Sequence, residues 1–278
     1  MTTTRRGASD LRSEQLLDRA EEALDDGDAD DAVELCERVL RSSPDHPGAL
    51  FLLGEAFRQL GDLESAVARY QRVTQLDPRH SSSWSGQAFC LFDLLDFERA
   101  RSAAARAIRD DDGNPEAYYV RALLRERRGD YDGARRDFTR AALIDPEAWP
   151  MPVELSDGMV DAVVQETLEV LHPTLRTYLE QVPILLEEVP TADLCMEFDP
   201  PAPPGEILGV FTGASLKDRA SDDPWSRMPP TIVLFRRNLQ RVAHDPQRVV
   251  EELRITVFHE VGHFLGLDEE DLEARGID

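Results

Sequence analysis

Long apolar runs are missing from this sequence. No stretch of eighteen or more apolar residues occurs in its 278 residues, which argues against a membrane-spanning helix. The opening MTTTRRGASDLRSEQ carries charge but no apolar segment behind it to act as a secretory signal. A soluble, cytoplasmic protein with no membrane partner is expected. Cysteine is scarce as well: Cys36, Cys90 and Cys195 are odd in number, far apart and without a CxxC pair. That argues against a disulfide framework and against a thiolate metal site, leaving three reduced thiols. Positive charge is the third deficit. With 31 Lys and Arg against 55 Asp and Glu, the net charge of -24 would repel a phosphate backbone, so no nucleic-acid partner is expected. Lys217 is the one lysine, every other basic side chain being arginine, which reads as a coding bias without mechanistic content. What remains is a chain with 41% hydrophobic residues, long enough for two ordinary domains.

The first half repeats itself every 34 residues. Gly27, Gly61, Leu95 and Gly129 mark one register, each followed by aspartate at Asp28, Asp62, Asp96 and Asp130. Four residues further on stand Ala32, Ala66, Ala100 and Ala134, and the units close at Pro44, Pro78, Asp112 and Pro146. The physical reading is a helix pair per unit. Glycine breaks the chain, aspartate caps the next helix, alanine lets two helices approach, and proline ends the unit. This pattern resembles the tetratricopeptide repeat, with four units over 13–148 behind a flexible lead at 1–12. The departures at Leu95 and Asp112 predict a distorted turn in the third unit. Stacked helix pairs bury a continuous core and leave a curved surface suited to a peptide or helix, so the resemblance implies a protein partner, an adaptor or substrate, on the groove. No lysine ladder is present to clamp a partner's C-terminal carboxylate.

After Pro146 the period stops. Pro150 and Pro152 place a stiff, proline-rich linker over 149–156, with Trp149 available to pack on the last repeat. From 157 to 278 the pattern is that of a small α+β domain. Two helical stretches, MVDAVVQETLEVL and LRTYLEQV, precede the strand-like runs PILLEEVP, ILGVFTG and TIVLF. Turn-rich segments at 200–204 and 213–230 separate these runs. A last helix opens at Asp245-Pro246, carries the apolar stripe Val250, Leu253, Val257, Val261 and Phe264, and ends at Gly266. The whole chain is thus multidomain, an all-α helical-repeat solenoid followed by a small α+β domain.

The last helix contains His259-Glu260-Val261-Gly262-His263. Imidazoles four residues apart share one helix face, about 6 Å apart along the axis, and can reach one tetrahedral cation. Glu260, turned by roughly 100°, stands beside a water that the cation activates and suits a general base. Gly266 lets the backbone turn back toward the metal, and Glu269, ten residues after His259, is the preferred third ligand. Asp268 and Glu270 compete, since one residue of slack in the turn exchanges them. Zinc is the default ion, although an imidazole and carboxylate set would also accept nickel, cobalt or manganese. His172 and His244 lie outside the motif and read as surface or packing residues.

The HExxHxxGxxE spacing resembles the elongated motif of the metzincins. Residues 157–275 are similar to a small bacterial family of minimal zincin-like metallopeptidases, through Gly209-Val210-Phe211-Thr212-Gly213, Pro229-Pro230-Thr231-Ile232-Val233-Leu234-Phe235 and the histidine motif, in that order. The resemblance implies ligands at His259 and His263, an acidic third ligand at the Glu269 position, catalytic Glu260, and hydrolysis of a protein or peptide substrate. Nine residues follow Glu269, too few for the methionine turn of larger metzincins. Zincins commonly pair an extended substrate with a sheet edge beside the active-site helix, and Thr231–Phe235 is the expected edge. Two other functions remain compatible with the sequence: a repeat scaffold with a structural metal, and a metal-dependent amidase acting on small molecules.

Overall fold

The structure is a computed structural model that describes residues 3–217 and 229–274, with side chains from Leu11 onward. Positions 218–228 of the turn-rich segment therefore lie outside the described residues. The chain divides into two compact units, 1–149 and 150–278.

The first unit consists of helix hairpins: α1 (Thr3–Asp25) with α2 (Ala29–Leu40), α3 (Pro47–Gln59) with α4 (Leu63–Leu76), α5 (Ser81–Asp93) with α6 (Phe97–Asp110), and α7 (Pro115–Glu126) with α8 (Tyr131–Ile144). Helix α1 starts at Thr3, so most of the stretch read as a flexible lead is helical. Each repeat aspartate caps its helix. Asp28, Asp62, Asp96 and Asp130 accept the backbone N–H three residues on at 3.2, 3.1, 3.2 and 3.0 Å. Such caps contribute about 1 kcal/mol apiece. The preceding residue is left-handed in every unit, with φ of 82°, 77° and 74° at Gly27, Gly61 and Gly129.

The distorted third turn is not found. Leu95 takes φ 63°, and the Asp96 N–H reaches Leu91 O at 2.9 Å just as Asp62 reaches Phe57 O at 2.9 Å. The hydrogen-bonded turn overrides the residue's preference, and Leu95 carries a left-handed strain of about 1–2 kcal/mol. The Asp112 position is likewise undistorted, Asn114 N–H bonding Asp111 O as His80 N–H bonds Asp77 O. Ala32, Ala66, Ala100 and Ala134 are all buried. Gly54 and Gly86 clasp the fully buried Tyr70, since a Cβ at either would lie 2.8 Å from its ring. Trp149 packs against Tyr119 with ring centroids 4.7 Å apart.

In the second unit, α9 (Asp157–Glu169) and α10 (Pro173–Leu179) precede β1 (Ile184–Glu187), α11 (Ala192–Cys195), β2 (Gly209–Thr212), β3 (Thr231–Phe235), α12 (Arg236–Leu239), α13 (Pro246–Leu265) and α14 (Glu269–Glu273). The sheet order is β1-β3-β2, with β3 parallel to β1 and antiparallel to β2. Thr231–Phe235 is therefore the central strand, which corrects its expected role as the edge. It is the most apolar of the three, and the centre satisfies both its backbone edges while burying Ile232, Leu234 and Phe235. Ile232 and Leu234 pack with Leu253, Val257 and Phe264 of α13 and with Val160 and Val163 of α9. Asp245 caps α13 by accepting from Gln247 N–H at 3.1 Å, Pro246 occupies its first turn, and Gly266 ends it at φ 90°. No described helix is long and apolar enough to cross a membrane.

Candidate metal centre

The long helix α13 and the short helix α14 bring three donors together. His259, His263 and Glu269 each offer a ligand atom, all within 4.8 Å of one another. The two Nε2 atoms are 3.0 Å apart, and Glu269 oxygens lie 3.5 Å from His259 Nε2 and 3.3 Å from His263 Nε2. Donors about 2.0–2.1 Å from a tetrahedral ion stand about 3.3 Å from each other, so the donor set fits zinc in both type and spacing.

The turn after α13 explains which carboxylate arrives. Asp268 is the N-cap of α14, its Oδ1 accepting the Asp271 N–H at 2.9 Å, which leaves Glu269 as the first helical residue beside the imidazoles. Glu270 is not in the group. Gly262 provides the seat for α14, for a Cβ there would lie 2.4 Å from Leu272 Cδ2, and Leu272 is fully buried. His263 Nδ1 lies 3.2 Å from Leu267 O, so an N–H at Nδ1 donates to that carbonyl and leaves Nε2 bare for a metal. The leucine carbonyl and the glycine seat carry no side-chain signature, which is why spacing alone cannot reveal them.

Glu260 is almost fully buried, and it meets the sheet through β2. The Phe211 N–H donates to its carboxylate, and a Cβ at Gly209 would lie 3.2 Å from its Cγ and 2.8 Å from Thr256 Cγ2. Burial pushes its pKa up to about 7, opposed by His259 and by the Phe211 N–H. The glycine-aromatic-glycine segment thus has a physical meaning. Gly209 admits Glu260, Phe211 holds it by backbone and packs its ring on Phe264 at 6.0 Å, and Gly213 turns at φ 99° where a Cβ would strike Pro229 O. A cleft of about 840 Å³ opens beside the donors, lined by Gly209, Phe211, Thr256 and Glu260 among others. Lys217 also lines it, packing its stem against Gly266, a placement its reading as coding bias did not anticipate. His172 is exposed and caps α10, while His244 is exposed and outside the donor group.

Comparison with known proteins agrees with both halves. The tetratricopeptide repeat family matches 17–81 and 91–151, and the zincin-like metallopeptidase family matches 179–277. Residues 17–151 are tetratricopeptide repeats, and residues 179–277 form a zincin-like metallopeptidase domain. Helix α9 precedes that match, although it packs on α13 in the same unit. Curated relatives include the general transcriptional corepressor ssn6 of Schizosaccharomyces pombe, 27% identical over 121 residues, which are 43% of this chain and 11% of that protein. Another is tetratricopeptide repeat protein 16 of Homo sapiens, 26% identical over 161 residues, covering 55% of this chain and 18% of that one. The chain thus spans a tenth to a fifth of the length of these relatives. Among solved structures, a thermophilic TPR protein of Thermus thermophilus aligns with TM-score 0.45 at 20% identity, over 61% of this chain and 91% of that one. A MamA protein aligns with TM-score 0.42 at 21% identity, over 56% and 80%.

Proposed function

We propose that the C-terminal unit is a zinc-dependent peptidase in which His259, His263 and Glu269 hold the ion and Glu260 is the general base. The convergence of those three donors beside a buried glutamate carries the reading. Among the described residues three donors converge and not four, and a cleft opens next to them, which supports a catalytic site over a structural one. Bound zinc would supply Lewis acidity, lowering the pKa of water toward about 7 and polarising a carbonyl.

The chain's own residues do the rest. Glu260 takes the proton of the attacking water and returns it to the leaving amine, its carboxylate held in place by the Phe211 N–H. Leu267 O fixes the tautomer of His263. With β3 central, the edge available beside α13 is β2, whose Gly209–Phe211 stretch lines the cleft. An extended peptide would lie along this edge, pairing with its backbone groups other than the Phe211 N–H, which Glu260 takes. The repeats serve as a docking module that raises the local concentration of a chosen protein substrate or adaptor.

The test is hydrolysis of a quenched fluorescent peptide pool by the zinc-loaded full chain. Glu260→Gln should lower the rate by about 10²–10⁴-fold while the protein keeps its zinc. Equal rates in the two proteins, or no cleavage of any pool by the wild type, would remove the peptidase reading.

A further inference from the structure

Helices α1, α3, α5 and α7 of the repeat unit line an open cavity of about 810 Å³. Part of its wall is apolar: Leu24, Phe51, Leu52 and Trp149 line it and are all partly exposed. The rest is charged, and unevenly so. Glu21, Asp25, Glu55, Asp111 and Glu116 face it, whereas Arg58 is the one cation among the described residues on the wall.

At the base, two carboxylates share that single guanidinium. Arg58 donates to Glu55 Oε2 at 2.5 Å and to Glu116 Oε1 at 2.9 Å. The other oxygens are held by neutral hydroxyls, Tyr70 donating to Glu55 Oε1 at 2.6 Å and Ser85 to Glu116 Oε2 at 2.7 Å. Hydroxyls orient a carboxylate without neutralising it, so one negative charge is left over in a half-buried place, where an uncompensated charge is costly. Burial, together with Glu55, raises the Glu116 pKa against the pull of Arg58, the direction expected of a carboxylate pair short of a cation. Each carboxylate oxygen accepts one hydrogen bond here and has a second lone pair available.

We propose that this cavity binds an arginine or lysine side chain of a peptide partner, its charged end on Glu55 and Glu116 and its stem along Phe51 and Trp149. The inference rests on the repeats being a docking module and specifies the chemistry of what docks. The apolar wall suits the long aliphatic stem of a basic side chain, and the carboxylates at the base suit its charged end. The volume is that of a pocket taking a drug-sized piece of ligand, not a lone ion. Glu21 and Asp25, exposed on the rim, extend the attraction to neighbouring basic residues of the partner.

The experiment incubates the dye-labelled full chain with immobilised peptide pools, each pool having one residue type fixed at one position and the rest randomised. Pools fixed as arginine or lysine should retain the wild type most strongly, and that preference should fall at least about fivefold in Glu116→Gln and in Glu55→Gln, as expected for a charge-assisted hydrogen bond. Either substitution removes one of 55 acidic residues, too small a change to alter diffuse attraction to the whole surface. Circular dichroism checks that the variants are folded, and the conservative variants Glu116→Asp and Glu55→Asp replace any that is not. An arginine preference equal in wild type and variants would overturn the site. Preference for another residue class, abolished by Trp149→Ala, would overturn the cation chemistry and keep the docking role. Retention by no pool would overturn both.

Discussion

Replacing Gly262 by alanine tests how Glu269 is held beside the two imidazoles. The added Cβ would lie 2.4 Å from Leu272 Cδ2 and 3.5 Å from its Cγ, against ordinary carbon contacts of about 3.5–4.0 Å. Leu272 is fully buried, so its methyl group cannot swing aside freely. The strain therefore falls on α14, a five-residue helix held by the Asp268 cap and by Leu272, and not on the twenty-residue α13. Glu269 opens α14 and stands 3.3 and 3.5 Å from the imidazole nitrogens, so a shift of about an ångström takes it out of ligand reach. Overpacking of this kind costs about 1–3 kcal/mol, and tenfold in affinity corresponds to about 1.4 kcal/mol. Zinc binding should weaken by roughly 5–150-fold. The metal-free chain should melt almost unchanged, because alanine gains about 1 kcal/mol of helix propensity over glycine. Competition with a chromophoric chelator measures the first quantity and a thermal melt the second. The double variant Gly262→Ala with Leu272→Ala should bind zinc more tightly than the two single losses added together, since the second change removes the clash. Wild-type affinity in Gly262→Ala, or strict additivity in the double variant, would show that the Gly262–Leu272 contact does not position Glu269.

The three adjacent carboxylates separate in the same assay. Glu269→Ala should lose most zinc affinity, Asp268→Ala should lose about fivefold through the α14 cap alone, and Glu270→Ala should be neutral. An equal loss in all three would mean general charge and no defined ligand. In the repeats, Leu95→Gly relieves a left-handed residue, and after glycine's extra chain entropy is deducted it should stabilise the unit by about 0.5 kcal/mol in urea denaturation. A lower midpoint would show that Leu95 packing outweighs its strain. Burial pushes the Cys36 and Cys90 thiols up to about 12, and Cys195 is fully buried. At pH 8 the native chain should show no fast-reacting thiol, and all three cysteines should react once it is denatured.

The repeats were legible because each carries its own local chemistry: an aspartate that caps, a left-handed residue before it, and an alanine four residues on. Leu95 departs from this local code, because turn hydrogen bonds there prevail over side-chain preference. In the second unit the three strands and the histidine helix were legible from short apolar runs and from the Asp-Pro and Gly bounds of α13. Their order was not. Pairing is decided by which strand buries best, and TIVLF went to the centre where an edge had been expected. The short helices α12 and α14 were missed because four or five residues carry no periodic signal. The ambiguity among Asp268, Glu269 and Glu270 had the same origin, since it is the cap of α14 that separates them.

Elemental analysis of the purified full chain and its site variants, after exposure to zinc and removal of the excess, tests the metal centre itself. Wild type and Glu260→Gln should each hold about one zinc per chain, and His259→Ala and His263→Ala should hold none. Zinc retained in His259→Ala, or absent from the wild type, would contradict a metal centre built on this helix.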